Sequence, residues 1–245
     1  MQKTLIIIPS RLAATRLPGK PLFKINGVSI ISHVYKKAME CNIGEVFVAA
    51  EDKEILDDIK ANGGQGILTK KARTGTDRVY DALSKLNMNS VDYILNIQGD
   101  EPMISKNDVI NLNRKILKNN SEMGSLGCEL KSKDQLNDQS VVKVKTFNKI
   151  NFDNMSKAEN FFRATIDPNY NNVYHHIGVY QYRIETLKKF VSLNQTENEK
   201  KYKLEQLRAL ENNIQIDIAL AKNSPIGVDT KEDFEKVRNL LEIKK

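Results

Sequence analysis

The chain has 245 residues, and its 38 lysines and arginines exceed its 31 aspartates and glutamates, which gives a formal charge of +7. With 40% hydrophobic and 28% charged residues, it is too apolar for a disordered chain and too polar for a bundle of membrane helices. The N-terminal apolar run at residues 5–8 is far shorter than the ~20 residues that span a bilayer, so we expect no signal peptide and no membrane partner. A cytoplasmic protein with two lone reduced thiols, Cys41 and Cys128, is expected.

The first half of the chain alternates β-rich runs with amphipathic helical stretches. Strands are predicted at residues 4–8, 45–50 and 93–97, and helices at residues 29–40, 53–61, 77–86 and 107–117. Alternation of this kind predicts an α/β fold with a mostly parallel central sheet that is flanked by helices.

The second half begins with strands that have little helix between them. These strands are predicted at residues 124–130, 141–146 and 177–183, and helices resume at residues 184–191 and 200–211. A final helix follows Asp229, because Thr230 and Asp233 have the spacing of an N-terminal cap. The sequence therefore predicts a single domain over residues 1–245, with an inserted antiparallel β-rich subdomain at about 120–183.

A loop with three cations follows the first strand. Arg11, Arg16 and Lys20 lie between Pro9 and Pro21, and ligands of open α/β sheets bind in the crevice at the carboxyl ends of the strands. Arginine can hold phosphate oxygens in a bidentate manner and lysine adds a compact charge, so the loop is predicted to bind phosphate. A solvated connector is the alternative. No Walker A motif is present.

Acidic residues follow the strand at residues 93–97. Asp100 is a candidate Mg²⁺ ligand, because Mg²⁺ prefers one or two carboxylates together with phosphate oxygens. Glu101 could instead cap the following turn, and the segment could be a purely structural turn. Asp229 could be a second ligand or part of the helix cap, and the residues alone favour the cap.

Together these segments resemble the 3-deoxy-manno-octulosonate (KDO) cytidylyltransferases, or CMP-KDO synthetases, over nearly the whole chain. The resemblance rests on an ordered set of segments at residues 9–21, 74–78, 98–102, 163–166, 176–180, 204–208 and 227–230. It implies a Rossmann-like nucleotide-diphospho-sugar transferase fold, and a homodimer as in many members. It also implies that CTP and KDO react to give CMP-KDO and pyrophosphate, for lipopolysaccharide or capsule.

The resemblance also implies roles for individual residues. Arg11 and Lys20 would hold the CTP phosphates, with Arg16 nearby, and Arg11, Lys20 and Asp100 would be catalytic. Asp100 and Asp229 would bind Mg²⁺, which overrides the preference for a cap at Asp229. The residues assigned to the nucleotide also include Ser10, where the family usually has Ala, and Thr74, Thr76 and Arg78 for the cytosine.

Five residues would line the pocket for the acidic 2-keto-3-deoxy sugar: Gln98, Arg163, His176, Glu205 and Gln206. Each of the last four has a plain alternative. Arg163 could be a surface cation, and His176 could be a core histidine with its hydrogen bonds satisfied. Glu205 and Gln206 could form an exposed helix face.

Four departures from the family pattern fall in the sugar-facing half of the chain. Phe162 replaces the usual Ser, Asp167 replaces Pro, Ser140 replaces Asn, and Tyr202 replaces Glu. They place the identity of the acceptor in question, so a KDO relative such as an 8-amino variant, another acidic sugar or a phosphonate is the alternative substrate.

Two alternatives belong to other classes of protein. A nucleic-acid-binding module would use the charge of +7, but no basic helix with stacking aromatics is seen, so no nucleic-acid partner is expected. A nucleotide-sugar sensor would have little reason to keep both Asp100 and Asp229.

Overall fold

The computed structural model describes residues 2–13, 16–86, 91–163 and 171–242. The chain divides into two compact units, of which the first comprises residues 1–107 and 225–245 and the second residues 108–224. The predicted single domain with an excursion at about 120–183 stays a prediction.

The first unit contains parallel strands flanked by helices, as expected from the alternation of elements. Its elements are β1 (Thr4–Ser10), a 3₁₀ turn (Lys20–Leu22), β2 (Lys24–Ile25), β3 (Val28–Ser29), α1 (Ile30–Glu40), β4 (Val46–Ala50), α2 (Lys53–Ala61), β5 (Gly66–Leu68), α3 (Gly75–Lys85) and β6 (Tyr93–Asn96). The helix α4 (Lys106–Asn119) begins in this unit, and α9 (Lys231–Glu242) belongs to it as well.

The parallel strands lie in the order β5-β4-β1-β6. All seven residues of β1 are buried, as are those of β4 and β6, which is typical of parallel strands covered on both faces. Because β1 is paired in parallel with β6, the loops after these two strands leave the sheet at the same edge.

The second unit is largely antiparallel. Its elements are the rest of α4, β7 (Met123–Glu129), α5 (Lys133–Asn137), β8 (Lys143–Thr146), β9 (Met155–Phe162), β10 (Val173–Arg183), α6 (Ile184–Ser192), α7 (Glu197–Tyr202), α8 (Gln206–Glu211) and β11 (Asp217–Ala221). The strands lie in the order β10-β7-β11-β9-β8. The last strand, β8, also pairs with the first, β10, so the strand pairings of this unit form a closed circuit. Only the β7–β11 pair is parallel among the strand pairs described within this unit.

One predicted helix is wrong in its continuity. Residues 200–211 form two short helices, α7 and α8, because Lys203 adopts a left-handed conformation with φ 54° and ends α7. The final helix starts as predicted, since the Thr230 hydroxyl accepts from the Asp233 amide at 3.2 Å and the Asp233 carboxylate accepts from the Thr230 amide at 3.0 Å.

Neither thiol is paired. Cys41 and Cys128 are free and buried, and burial, with a smaller contribution from Glu40, raises the pKa of Cys41 to about 11. No helix in the described part of the chain is long and apolar enough to cross a membrane.

Candidate functional site

The loops after β1 and β6 approach each other closely in the first unit. A Cβ atom at Gly99 would lie 2.8 Å from the Pro9 carbonyl oxygen and 3.3 Å from the Ser10 Cβ. Only glycine allows this approach without a shift of the backbone. The cationic loop and the acidic segment at Asp100 are therefore held side by side.

Lys20 is the central cation of this site. Gly19, with φ 74°, turns the chain into the 3₁₀ turn that begins at Lys20. The Lys20 Nζ donates to Asp100 Oδ2 at 2.6 Å, to Asp229 Oδ1 at 2.9 Å and to the Val228 carbonyl at 2.8 Å. Burial lowers the pKa of Lys20, but the Asp100 and Asp229 carboxylates outweigh it and leave the pKa raised. Lys20 is therefore a firmly protonated ammonium between two carboxylates.

Asp229 is brought to this place by its own segment. The Val228 amide donates to the Asp100 carbonyl at 2.8 Å, and the Val228 side chain is fully buried in an apolar cluster with Ile25, Ile30 and Val237. The Asp229 carboxylate also accepts from Arg16 at 2.6 Å. Burial raises the pKa of Asp229, and the bonds to Lys20 and Arg16 reverse this and lower it. The helix cap is formed by Thr230 and Asp233, so the Asp229 carboxylate is directed to the cations.

Glu101 is a third carboxyl group at this site, to which the sequence assigned no role beyond capping a turn. Its Oε2 atom is shielded from solvent and has no hydrogen-bond partner within the described residues. Burial, with smaller contributions from Asp100 and Asp229, raises its pKa to about 8. A protonated carboxyl group in this position limits the repulsion among the three acidic side chains.

The donor set suits Mg²⁺ that is shared with a phosphate ligand. Within the described ranges no group of three or more His, Cys, Asp or Glu side chains could enclose a metal ion by itself. Asp100 and Asp229 nevertheless both contact the Lys20 ammonium. Two carboxylates are the protein ligands that Mg²⁺ commonly uses when phosphate oxygens and water complete its octahedral coordination. Asp100 and Asp229 thus fit the predicted role.

The remaining predicted phosphate-loop residues differ in exposure. The Arg11 side chain is exposed and has no hydrogen bond or ion pair with another described residue, so it is available to a ligand. Ser10 is only 7% exposed, and its Oγ has no hydrogen-bond partner among the described atoms. The Arg16 side chain is also exposed, although it forms an ion pair with Asp229.

The residues predicted to read the cytosine lie at the start of α3. The Thr74 hydroxyl caps this helix by accepting from the Asp77 amide at 3.2 Å, and Thr76 is buried. The side chain of Arg78 is 3% exposed and donates to Thr69 at 2.7 Å and to Glu51 at 3.1 Å. This arrangement makes Arg78 a buried support for the start of α3, a role that the sequence did not suggest because Glu51 lies 27 residues earlier.

The five residues predicted to bind the sugar acid are divided between the units. Gln98 belongs to the first unit, is half-buried, and donates to the Asn96 side chain at 3.4 Å. The other four, Arg163, His176, Glu205 and Gln206, belong to the second unit.

Arg163 lines a half-open cleft of about 860 Å³ within the second unit. Its guanidinium donates to the Tyr202 carbonyl at 3.2 Å and to the Gln139 carbonyl at 3.1 Å. Phe162 and Tyr202 line the same cleft, so two of the four departures from the family pattern lie beside Arg163. Ser140 is exposed and bonds to Asp138, and Asp167 lies outside the described residues.

His176 is a buried histidine with a hydrogen bond. It is 7% exposed, its Nε2 lies 2.9 Å from Ser125 Oγ, and the Phe161 and Tyr180 rings pack against it. Burial, with a smaller contribution from His175, lowers its pKa to about 3, so it is neutral at physiological pH. This is the placement expected of a core histidine, and its contact with a sugar stays a prediction.

Glu205 is the N-cap residue of α8, and Gln206 is the first residue of this helix. Gln206 is 5% exposed and Glu205 is half-buried, so the pair does not form the exposed helix face that was the alternative. Two residues further along, Arg208 forms a buried bidentate ion pair with Glu199 at 2.6 and 2.8 Å. The sequence assigned no role to either partner of this pair.

Comparison with known proteins gives a consistent family. A family model described as cytidylyltransferase matches residues 5–218. The chain is similar to the 3-deoxy-manno-octulosonate cytidylyltransferase of Paramagnetospirillum magneticum, with 39% identity over 97% of both chains. It is 40% identical to the one of Rhodospirillum rubrum, over 97% of this chain and 95% of the relative.

Solved structures give the same result. The structure of a CMP:2-keto-3-deoxy-manno-octonic acid synthetase complexed with CTP matches with a TM-score of 0.90 and 32% identity over the whole of both chains. A UDP-glucose pyrophosphorylase matches with a TM-score of 0.73 at 12% identity, which is a likeness of fold alone. The Rossmann-like α/β fold predicted from the sequence is confirmed.

Proposed function

The chain belongs to the cytidylyltransferase family, and we propose that it transfers the cytidylyl group of CTP to 3-deoxy-manno-octulosonate, with release of pyrophosphate. Full-length relatives at about 39% identity carry this activity in their names, and a structural match with CTP bound extends over the whole chain. The observation that carries the proposal is the meeting of Asp100, Asp229 and Lys20 beside the cationic loop.

The reaction is an in-line displacement at the α-phosphorus of CTP. The anomeric oxygen of the sugar acid forms a new bond to this phosphorus, the bond between the α-phosphorus and the bridging oxygen breaks, and the hydroxyl proton is released. Pyrophosphate leaves with the bonding electrons. Positioning and neutralisation of charge supply most of the acceleration in such a step, so no covalent enzyme intermediate is needed.

The cationic loop has the groups that this displacement needs. Arg11 is exposed and free to take phosphate oxygens in a bidentate manner, and the Lys20 ammonium lies within the same site. Both cations would offset the charge that accumulates on the departing pyrophosphate.

Asp100 and Asp229 would hold Mg²⁺ together with the substrates. When bound, the ion would neutralise phosphate charge and lower the pKa of the attacking hydroxyl. The two carboxylates contribute fixed negative charge on one side of the site, which would stabilise a bound cation.

The test is a product assay with purified protein, CTP, KDO and Mg²⁺. We expect release of pyrophosphate and formation of CMP-KDO, identified by mass spectrometry. Asp100→Asn should lose at least about 100-fold in kcat/KM, because it removes one of two ligand carboxylates while keeping the shape of the side chain. Asp57→Asn, an exposed change on α2, is the matched control and should be fully active.

Full activity of Asp100→Asn would contradict the metal assignment. Absence of any CTP-dependent release of pyrophosphate in the wild type, with a panel of sugar acids and phosphonates, would contradict the proposed reaction. Release with another sugar acid but not with KDO would leave the transfer of the cytidylyl group standing and change the acceptor.

The proposal extends to the setting of the enzyme. We infer a cytoplasmic homodimer that serves lipopolysaccharide or capsule synthesis, because CTP is a cytoplasmic substrate and activated sugar acids are consumed by glycosyl transfer. Light scattering would measure the dimer directly.

A further inference from the structure

The candidate metal site already contains cations that belong to the protein. Asp100 and Asp229 contribute two negative charges, while Lys20 contacts both carboxylates and Arg16 contacts one of them. Lys20 is the inner cation, since its side chain is 11% exposed whereas that of Arg16 is 60% exposed. The four charges balance, so a divalent cation that approaches this state finds little net attraction.

The two carboxylates do not depend on Lys20 for their proximity. The backbone bond from the Val228 amide to the Asp100 carbonyl joins the two segments, and Val228 is fully buried in its apolar cluster. The cap formed by Thr230 and Asp233 fixes the chain on the other side of Asp229. Removal of the Lys20 ammonium would therefore leave two carboxylates close together with their charges uncompensated.

We propose that the Lys20 ammonium occupies the position of the metal between Asp100 and Asp229, so that a divalent cation binds only after a nucleoside triphosphate has drawn Lys20 away. This inference rests on the proposed function, because it takes a triphosphate as the ligand of the loop. Lys20 thereby acts as a positioning residue that makes metal binding conditional on the nucleotide.

The geometry gives each partner a reason to exchange. A triphosphate is a polyanion whose oxygens can accept the hydrogen bonds that Lys20 and Arg16 now give to the aspartates. The carboxylates released by this exchange are then free for a metal that the phosphates also ligate. Because coupling between two ligands is reciprocal, metal must strengthen nucleotide binding by the same factor by which nucleotide strengthens metal binding.

The experiment measures Mn²⁺ binding to the nucleotide-free protein by electron paramagnetic resonance, where free and bound Mn²⁺ give different signals. The variants are Lys20→Met, which removes the ammonium, and Lys20→Arg, which keeps the positive charge. Lys24→Met, which removes an exposed lysine four residues away, is the matched control. We expect Lys20→Met to bind Mn²⁺ at least about tenfold more tightly than the wild type. Lys20→Arg and Lys24→Met should both stay near the wild-type affinity.

A second substitution locates the new metal site. Asp229→Asn in the Lys20→Met protein should abolish the gained affinity, because one of the two ligand carboxylates is lost. Circular dichroism melts verify that each variant is folded, and Lys20→Gln replaces Lys20→Met if the latter does not fold, since its amide can still donate to the Val228 carbonyl.

Two results would overturn the inference: tight Mn²⁺ binding by the nucleotide-free wild type, or no gain in affinity in folded Lys20→Met or Lys20→Gln protein. Neither result touches the product assay, so CMP-KDO formation by the wild type would survive them. Conversely, if the wild type made no CMP-KDO, a gain of Mn²⁺ affinity in Lys20→Met would still support the role of Lys20 while the proposed reaction fell.

Discussion

Acidification should destabilise this protein through His176. His176 is 7% exposed, and its imidazole bonds to the Ser125 hydroxyl and packs against the Phe161 and Tyr180 rings. Burial is the main reason that its pKa falls to about 3, and the neighbouring His175 lowers it further. The native state therefore keeps His176 neutral at every pH at which the protein is normally handled.

The size of the effect follows from proton linkage. An unfolded histidine has a pKa of about 6.5, so between pH 6.5 and about 3 the unfolded chain binds a proton that the native protein does not. The contribution of neutral His176 to the free energy of unfolding is then fully present above pH 6.5, and it falls by about 1.4 kcal/mol for each pH unit below this value. At pH 5 the expected loss from this residue is about 2 kcal/mol.

Urea unfolding at pH 7.5 and pH 5.0 measures this loss, with His176→Gln for comparison. Glutamine does not titrate, so the wild type should lose about 2 kcal/mol more than the variant between the two pH values. His175, whose pKa burial also lowers, is present in both proteins, so its contribution cancels in the comparison. Equal losses in the two proteins would refute a neutral, buried His176.

Three further changes test other parts of the molecule. Arg208→Met leaves the Glu199 carboxylate buried without its bidentate partner and should lower the free energy of unfolding, measured with urea, by about 3–5 kcal/mol. The double variant with Glu199→Gln should recover much of this stability. An Arg208→Met protein as stable as the wild type would contradict the buried pair. Arg11→Ala should raise the KM for CTP at least about tenfold, and an unchanged KM would contradict the role of Arg11 in holding phosphates. Phe162→Ser combined with Tyr202→Glu should change the kcat/KM ratio between KDO and other sugar acids by about tenfold with no change in the KM for CTP; an unchanged ratio would exclude the cleft beside Arg163 from acceptor selection.

Local patterns predicted the buried strands β1 and β4 and the helix α1, but missed β11, although four of its five residues are buried. The apolar residues of β1 and β4 and the helical spacing in α1 were sufficient, because these elements are buried on predictable faces. The strand β9 was missed, since its charged and polar residues alternate irregularly with buried ones. The end of α7 was missed because Lys203 adopts a left-handed conformation, which is uncommon for lysine and which the sequence therefore does not predict.

Some residues of the candidate site could be predicted from the sequence alone, and others could not. The cations of the first loop and Asp100 could be proposed from their positions after strands, whereas the residues alone favoured a helix cap for Asp229. Its contact with Lys20 spans 209 positions of the sequence and depends on the burial of Val228, which no local pattern reports. The burial of Glu101 was invisible for the same reason.

The discontinuity of the first unit has a consequence for synthesis. Asp100 and Lys20 leave the ribosome before residues 108–224, but Asp229 follows them, so a nascent chain cannot assemble its pair of carboxylates until the whole second unit has been translated. A prematurely terminated product that ends before Pro225 would retain the cationic loop without the second aspartate. Such a fragment would also lack Val228 and Val237, which belong to the apolar cluster with Ile25 and Ile30.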